Sequence, residues 1–284
     1  MNNKPTGTQE PKVDIHPVEM EYGSDPLQRL DYWRPIENGS PLIVFVHGGS
    51  WTGGDKRNAT GEEKVGHFLQ QGYAFASLNY RLVPASTVEQ QAQDVASALA
   101  FLITHADDLG FDAYRVVLMG HSAGAHLSAL VGTDMRYLSA IGLGPESLSG
   151  IVLLDGAAYD VPRQIAEGPK FMQDAYLRAF SAKPERQIAL SPAYQAAAPN
   201  APAFLILHVQ RPDGTAQSLE LAEALRKAGA EADVHGFEGS GLQGHLEINR
   251  RLGDPSYPAT PVVDDWLRHI FGEKAGWLPN RTGV

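Results

Sequence analysis

Apolar residues along this chain come in short unbroken runs separated by stretches of mixed character. Leu42 to Val46 reads LIVFV with no polar interruption. Tyr73 to Leu78, Arg115 to Met119, Gly150 to Leu154 and Ala203 to Leu207 repeat that character. Continuous runs of this length predict strands buried on both faces. Val18 to Tyr22 and Leu30 to Trp33 predict shorter strands on either side of a Gly-Ser-Asp-Pro turn, and EADVHGF, around His235, is strand-like as well. Between these runs the period changes. Ala92, Val95, Leu99 and Leu102 recur at helix spacing within Gln91 to Ile103. Ala216 to Ala228 and Pro261 to Phe271 carry the same amphipathic pattern.

Strands alternating with helices predict an α/β architecture, with a mostly parallel sheet covered on both faces. The alternation lapses between Tyr159 and Asn200. A structureless loop of that length is uncommon, so the segment is expected to hold helices of its own. It reads as an insertion over the C-terminal edge of the sheet, with a small cap at about 159–191. Residues 1–16 form a polar lead-in, and residues 17–284 are expected to be one domain. No internal repeat or low-complexity tract interrupts it.

One stretch stands out against this background. In VVLMGHSAGAHLSAL, Val116 to Leu130, a buried strand gives way to an alanine-rich helix through Gly120-His121-Ser122-Ala123-Gly124. Small residues on both sides permit a sharp turn that pushes the Ser122 hydroxyl out at a helix N-terminus. There the helix dipole favours developing negative charge. A tight turn with serine as an N-cap would produce the same letters. What separates the two readings is company, because a serine hydroxyl is a weak nucleophile until a base takes its proton.

Where G-x-S-x-G marks a nucleophile, an acid and then a histidine follow it in the chain. His208 closes a strand, His235 lies within a strand-like run and His269 lies in the last helix. His245, expected in a loop after the last strand, is therefore the candidate base. The acid should follow the strand that ends near His208, where Asp213 is the carboxylate before the next helix. Asp155, at the end of the preceding strand, is the second choice. An oxyanion hole is expected from the loop after Leu42 to Val46, which reads His47-Gly48-Gly49-Ser50-Trp51. Gly48 or Gly49, together with Ala123, would supply the N–H groups.

Composition narrows the field. Of 284 residues, 43% are hydrophobic and 20% charged, as in a globular protein with a sizeable core. A net charge of −10 argues against nucleic acid and anionic membrane surfaces as partners. The absence of cysteine excludes disulfides and thiolate chemistry. No apolar run approaches the length of a membrane span, and the polar N-terminus lacks a secretory signal, so a cytoplasmic location is expected. His121 and His126 lack the spacing and the carboxylate of a zinc pair, so neither a metal nor a cofactor is expected. Gly53 to Lys56 is read as a turn, Asp94 as a structural partner of Arg81, and Trp266 and Trp277 as packing residues. A homo-oligomer is compatible with the sequence, which does not fix the assembly.

The segments HGGSW, LNYRL, GHSAGAHL, LDYWRP and GHLEINRRLG together resemble the α/β-hydrolase-fold serine esterases. They are closest in pattern to hormone-sensitive-lipase-like, feruloyl-esterase-like and kynurenine formamidase members. The resemblance runs from about Tyr22 to Phe271. It implies an α/β-hydrolase fold, a triad of Ser122, Asp213 and His245, and an oxyanion hole of Gly48, Gly49 and Ala123. It also implies that Trp51 lines the pocket. Many hormone-sensitive-lipase relatives carry an aspartate where this chain has His121, a departure toward the feruloyl-esterase-like and formamidase-like members. His121, Trp51 and Phe171 are the candidate substrate contacts, with Phe171, Met172, Tyr176 and Phe180 as an apolar cover. The expected chemistry is cofactor-free hydrolysis of small carboxylic esters with a short acyl or aryl part. Cleavage of N-formyl-L-kynurenine is the nearest alternative and a non-catalytic binding role the remote one.

Overall fold

The computed structural model describes residues 16–57 and 59–272. Most of the expected lead-in, and Trp277, lie outside the described residues. The chain begins with β1 (Val18–Glu21), β2 (Arg29–Trp33) and β3 (Ser40–Val46), followed by α1 (Lys64–Gln70) and β4 (Ala74–Leu78). Then come α2 (Val88–Thr104), α3 (Ala106–Leu109), β5 (Phe111–His121), α4 (Ala123–Thr133), α5 (Arg136–Ser139) and β6 (Gly150–Leu154). The stretch in which the pattern lapsed holds α6 (Val161–Glu167), α7 (Gln173–Phe180), α8 (Pro184–Ala189) and α9 (Pro192–Gln195). The chain closes with β7 (Ala203–Gln210), α10 (Pro212–Lys227), β8 (Glu231–Ser240), α11 (Gly241–Arg250) and α12 (Ala259–Ile270).

Eight strands form one sheet in the order β1-β2-β4-β3-β5-β6-β7-β8. β1 and β2 pair antiparallel at one edge, and the strands from β4 to β8 pair parallel. Period-two alternation divides the strand residues between two cores. From β3, Leu42, Val44 and Val46 pack toward α2, α4 and α10, whose Leu99, Leu127 and Leu221 join them. Ile43 and Phe45 face the other way, toward Phe68 of α1 and Trp266 of α12. Burial on both sides is why these strands are continuously apolar.

Register sets up the site. Val46 of β3 pairs with Gly120, His121 of β5 with Leu154, and Leu154 of β6 with Leu207. The segments that follow all emerge at one edge of the sheet, the carboxyl ends at which open α/β sheets bind ligands. Arg81 and Asp94 pair as expected, through two guanidinium nitrogens at 2.6 and 2.8 Å. Lys56, in the GGDK turn, is buried against Asp31 at 2.6 Å.

Candidate active site

Ser122 stands at the junction of β5 and α4 with φ 55° and ψ −120°. That backbone is costly for a residue with a Cβ, and it persists because the surroundings over-determine it. The Ser122 N–H donates to the carbonyl of Leu154 at 3.1 Å, tying the turn to the neighbouring strand. Gly120 and Gly124 allow the turn to close. A methyl group on Gly120 would strike the Gly124 carbonyl and come within 2.6 Å of Ser128 Oγ. One on Gly124 would run into the carbonyls of Val46 and His47. The glycines flanking the serine are therefore demanded by backbone packing.

His245 Nε2 lies 2.9 Å from Ser122 Oγ, and His245 Nδ1 lies 2.6 Å from Asp155 Oδ2. The expected loop for His245 is instead α11, whose second turn carries the ring. Gly239 (φ 118°) and Gly241 (φ 57°) make the bend that starts this helix directly after β8. The polar, glycine-rich stretch Glu238-Gly239-Ser240-Gly241 at that boundary reads equally well as a loop.

The carboxylate that meets His245 is not the first choice. Asp155, not Asp213, is the carboxylate on His245. β7 continues to Gln210 and α10 begins at Pro212, so Asp213 sits in the first turn of that helix. Its Oδ2 accepts from Gln164 Nε2 at 3.1 Å. Asp155 follows β6 on a strained turn with φ 43° and is fully buried. Its N–H donates to Leu207 O at 2.7 Å, and its Oδ1 accepts from the Val209 N–H at 3.1 Å. Arg211 Nε lies 2.8 Å from Asp155 Oδ2, and Arg211 Nη2 donates to Gly156 O at 3.0 Å. Burial alone would raise the Asp155 carboxyl, but the His245 bond, the Arg211 charge and the Val209 N–H together hold it below its ordinary value.

His121 also differs from expectation. It is buried behind His245 and does not line the cavity. Its Nε2 donates to the His245 carbonyl at 2.9 Å, and the two rings lie 4.6 Å apart. Burial, and then the neighbouring His245, push the His121 pKa well below its ordinary value. A neutral ring there adds no repulsion to a proton arriving on His245. The sequence signal was the slot before Ser122: the β5 register turns that side chain away from solvent, toward α11.

The HGG loop runs beside the serine. A Cβ on Gly48 would lie 2.9 Å from Ser122 Cβ. Gly49 adopts φ 135°, and its carbonyl accepts from the N–H groups of Thr52 and Gly53 at 3.1 and 2.9 Å. Among the described hydrogen bonds none uses the N–H of Gly48, Gly49 or Ala123. His47 braces the loop, with Nδ1 donating to Gly48 O at 2.7 Å and its ring stacked on Tyr80 at 4.4 Å. Trp51 Nε1 donates to His126 Nδ1 at 3.2 Å, and His126 Nε2 donates onward to Leu190 O at 2.8 Å. His126 thus joins the HGG loop, the helix after the serine and the far end of the inserted segment. Burial pushes its pKa down to about 4.

Above Ser122 and His245 opens a cavity of about 320 Å³. Trp51, Phe171, Met172, Tyr176 and Leu242 supply most of its apolar wall, and Arg211 and Asp213 its charged flank. Phe171 is 76% exposed at the rim. Phe180, expected as cover, is buried below, with its ring centroid 4.7 Å from that of Trp51. Among the described residues no cluster of His, Asp or Glu is placed to hold a metal ion, and no helix is long and apolar enough to cross a membrane.

Known proteins are similar to this chain in sequence and in fold. The BD-FAE family matches residues 30–140. Esterase LipC of Mycobacterium tuberculosis is 31% identical over 208 residues, which cover 69% of this chain and 51% of that protein. A kynurenine formamidase of Meyerozyma guilliermondii is 35% identical over 156 residues, 54% of this chain and 56% of that protein. The chain thus spans about half the length of these two relatives. Esterase B of Lactobacillus rhamnosis has the same fold, with a TM-score of 0.73 at 22% identity over 90% of this chain and 84% of that one. The chain therefore has the α/β-hydrolase fold, shared with Esterase B, and over part of its length its sequence is similar to those of esterases and of a kynurenine formamidase.

Proposed function

We propose that this protein is a serine hydrolase that cleaves small carboxylic esters through an acyl-enzyme on Ser122. The observation that carries the reading is the continuous relay from Ser122 Oγ through His245 to Asp155, opening into an apolar cavity. Ser122 attacks the ester carbonyl carbon while His245 Nε2 takes the hydroxyl proton. Asp155 accepts the Nδ1–H bond, fixes the tautomer and stabilises the imidazolium. The N–H groups of Ala123 and of Gly48 or Gly49 hold the charge that develops on the carbonyl oxygen. His245 then returns the proton to the leaving alkoxide, and water repeats the sequence on the acyl-enzyme. Segment 159–191 acts as the cap, with Phe171, Met172 and Tyr176 excluding water from the acyl or aryl part. No cofactor takes part.

The same groups would cut an N-formyl amide, with an arylamine as leaving group, and the formamidase relative supports that second reading. Wild type and Ser122→Ala, purified in parallel, are to be compared on p-nitrophenyl acetate, p-nitrophenyl butyrate and N-formyl-L-kynurenine. We expect kcat to fall by about a thousandfold or more in the variant with the fold intact. The better wild-type substrate chooses between ester and formamide. Equal, negligible rates for both proteins on all three substrates would overturn the hydrolase reading.

A further inference from the structure

Asp213, displaced from the relay, has been left without a role. Among the described residues that line the cavity it is the one carboxylate, beside Arg211 and in a wall that also holds Trp51, Phe171, Met172 and Leu242. Its side chain is 12% exposed. Arg211 is the nearby cation, but its Nε faces Asp155 at 2.8 Å and its Nη1 stays 3.7 Å from Asp213. One guanidinium therefore stands between two carboxylates, with Asp155 the nearer. A single hydrogen bond reaches Asp213 among the described contacts, from Gln164 Nε2. A carboxylate offers about four lone-pair sites, so most of its capacity remains open.

Its position is fixed, not adventitious. Gln164 is fully buried and committed on every side. Its Oε1 accepts from the Ala158 N–H at 3.1 Å and from Gln217 Nε2 at 2.7 Å, and its Nε2 also donates to Tyr176 Oη at 3.0 Å. This amide holds Asp213 and Tyr176 side by side on the cavity wall. A carboxylate on the wall of a largely apolar cavity is costly to strip of water unless a positive group replaces that water.

We infer that the cavity selects esters carrying a positively charged nitrogen, with Asp213 as the specificity-determining residue. This rests on the hydrolase reading above. An uncharged ester leaves Asp213 dehydrated, with only Gln164 and the more distant Arg211 to meet its charge once the cavity fills, whereas an ammonium group restores the lost interaction. The charge is read on the substrate part that faces the wall between α10 and the cap.

Two matched pairs test this. One is acetylcholine and its carbon isostere, with a tert-butyl group in place of trimethylammonium. The other is the p-nitrophenyl ester of γ-trimethylammoniobutyrate and its tert-butyl isostere. For wild type we expect kcat/KM to favour the charged member of at least one pair by about tenfold or more. Asp213→Asn should bring that ratio close to one, and Asp213→Glu should restore part of it. Ratios near one for wild type in both pairs, or a preference that survives in Asp213→Asn, would overturn the inference while the hydrolase reading stands. A binding arm separates the two failures. Ser122→Ala, with and without Asp213→Asn, is titrated with choline and with its tert-butyl isostere, followed by tryptophan fluorescence. If no ester is turned over but choline binding depends on Asp213, the cation site stands and the ester reading falls. If choline and its isostere bind alike, the cation site falls.

Discussion

Asp155 and Asp213 sit after neighbouring strands and share one arginine, yet they belong to different regions. Asp155 is part of a platform made from the ends of β3, β5 and β6. There Ser122 and Asp155 both hold positive φ, and Gly120 and Gly124 leave no room for a methyl group. Three protein groups converge on Asp155: His245, Arg211 and the Val209 N–H. Asp213 belongs to the cavity wall, with Phe171 and Leu242, which are 76% and 61% exposed. One side-chain amide holds it. The lesson is that an acid able to steady an imidazolium is marked by the donors that converge on it, whereas a carboxylate with spare capacity faces the ligand. Platform changes should therefore cost rate or stability, and wall changes should alter selectivity.

The sharpest way to break the contrast is to neutralise each aspartate in turn. Asp155→Asn should lower kcat on p-nitrophenyl butyrate by about ten-thousandfold, because the wrong imidazole tautomer is then favoured. Asp213→Asn should lower it far less. The reverse order in steady-state kinetics would return Asp213 to the relay and dissolve the distinction.

His126 joins the two regions, so its protonation should loosen one from the other. Its pKa is about 4 in the folded protein against an ordinary 6.5. Between those values the unfolded chain binds the extra proton and the folded one resists it. This contribution is therefore complete above the ordinary value, falls as pH drops toward the folded one, and is flat below that. The whole loss amounts to about 3 kcal/mol. Urea unfolding near neutral pH and at about pH 4.5 should show a shallower pH dependence in His126→Gln than in wild type. Identical dependence in both proteins would remove His126 as the tie.

Gly48→Ala probes the platform on its HGG side. The added methyl would sit 2.9 Å from Ser122 Cβ and 3.0 Å from His121 Nδ1. Displacing an oxyanion donor should cost about a hundredfold in kcat, with KM changing much less. The smallest effect belongs to the wall. Phe171→Ala should raise KM for aryl esters roughly threefold through lost apolar contact, with Tm within about a degree of wild type. A Tm loss of several degrees would mean that Phe171 supports the fold and not only the rim.

Local chemistry carried much of this in the sequence. The continuous apolar runs announced buried parallel strands, because a strand covered on both faces has no polar side to show. Ser122 and the HGG loop were legible because sharp turns and close backbone approach demand small residues, which leave letters behind. His245 was found by elimination, since strands and helices claimed the other late histidines. That it rides on α11 was not legible: two glycines at positive φ set the bend, and glycine is equally at home in a loop.

What only the tertiary structure decided is which groups meet. Asp155 and Asp213 each follow a strand, and the order serine, acid, histidine accepts either. The choice fell to where β7 ends and where Arg211 turns, neither of which has a local signature, although Pro212 does mark the start of α10. His121 is a similar case. Its place before the serine is plain in sequence, but its bond to the His245 carbonyl spans 124 positions. Secondary structure and turn chemistry are set by near neighbours, so the chain states them in its own order. The partners of a buried charge are set by register and helix placement across the sheet, and those exist only once the chain has folded.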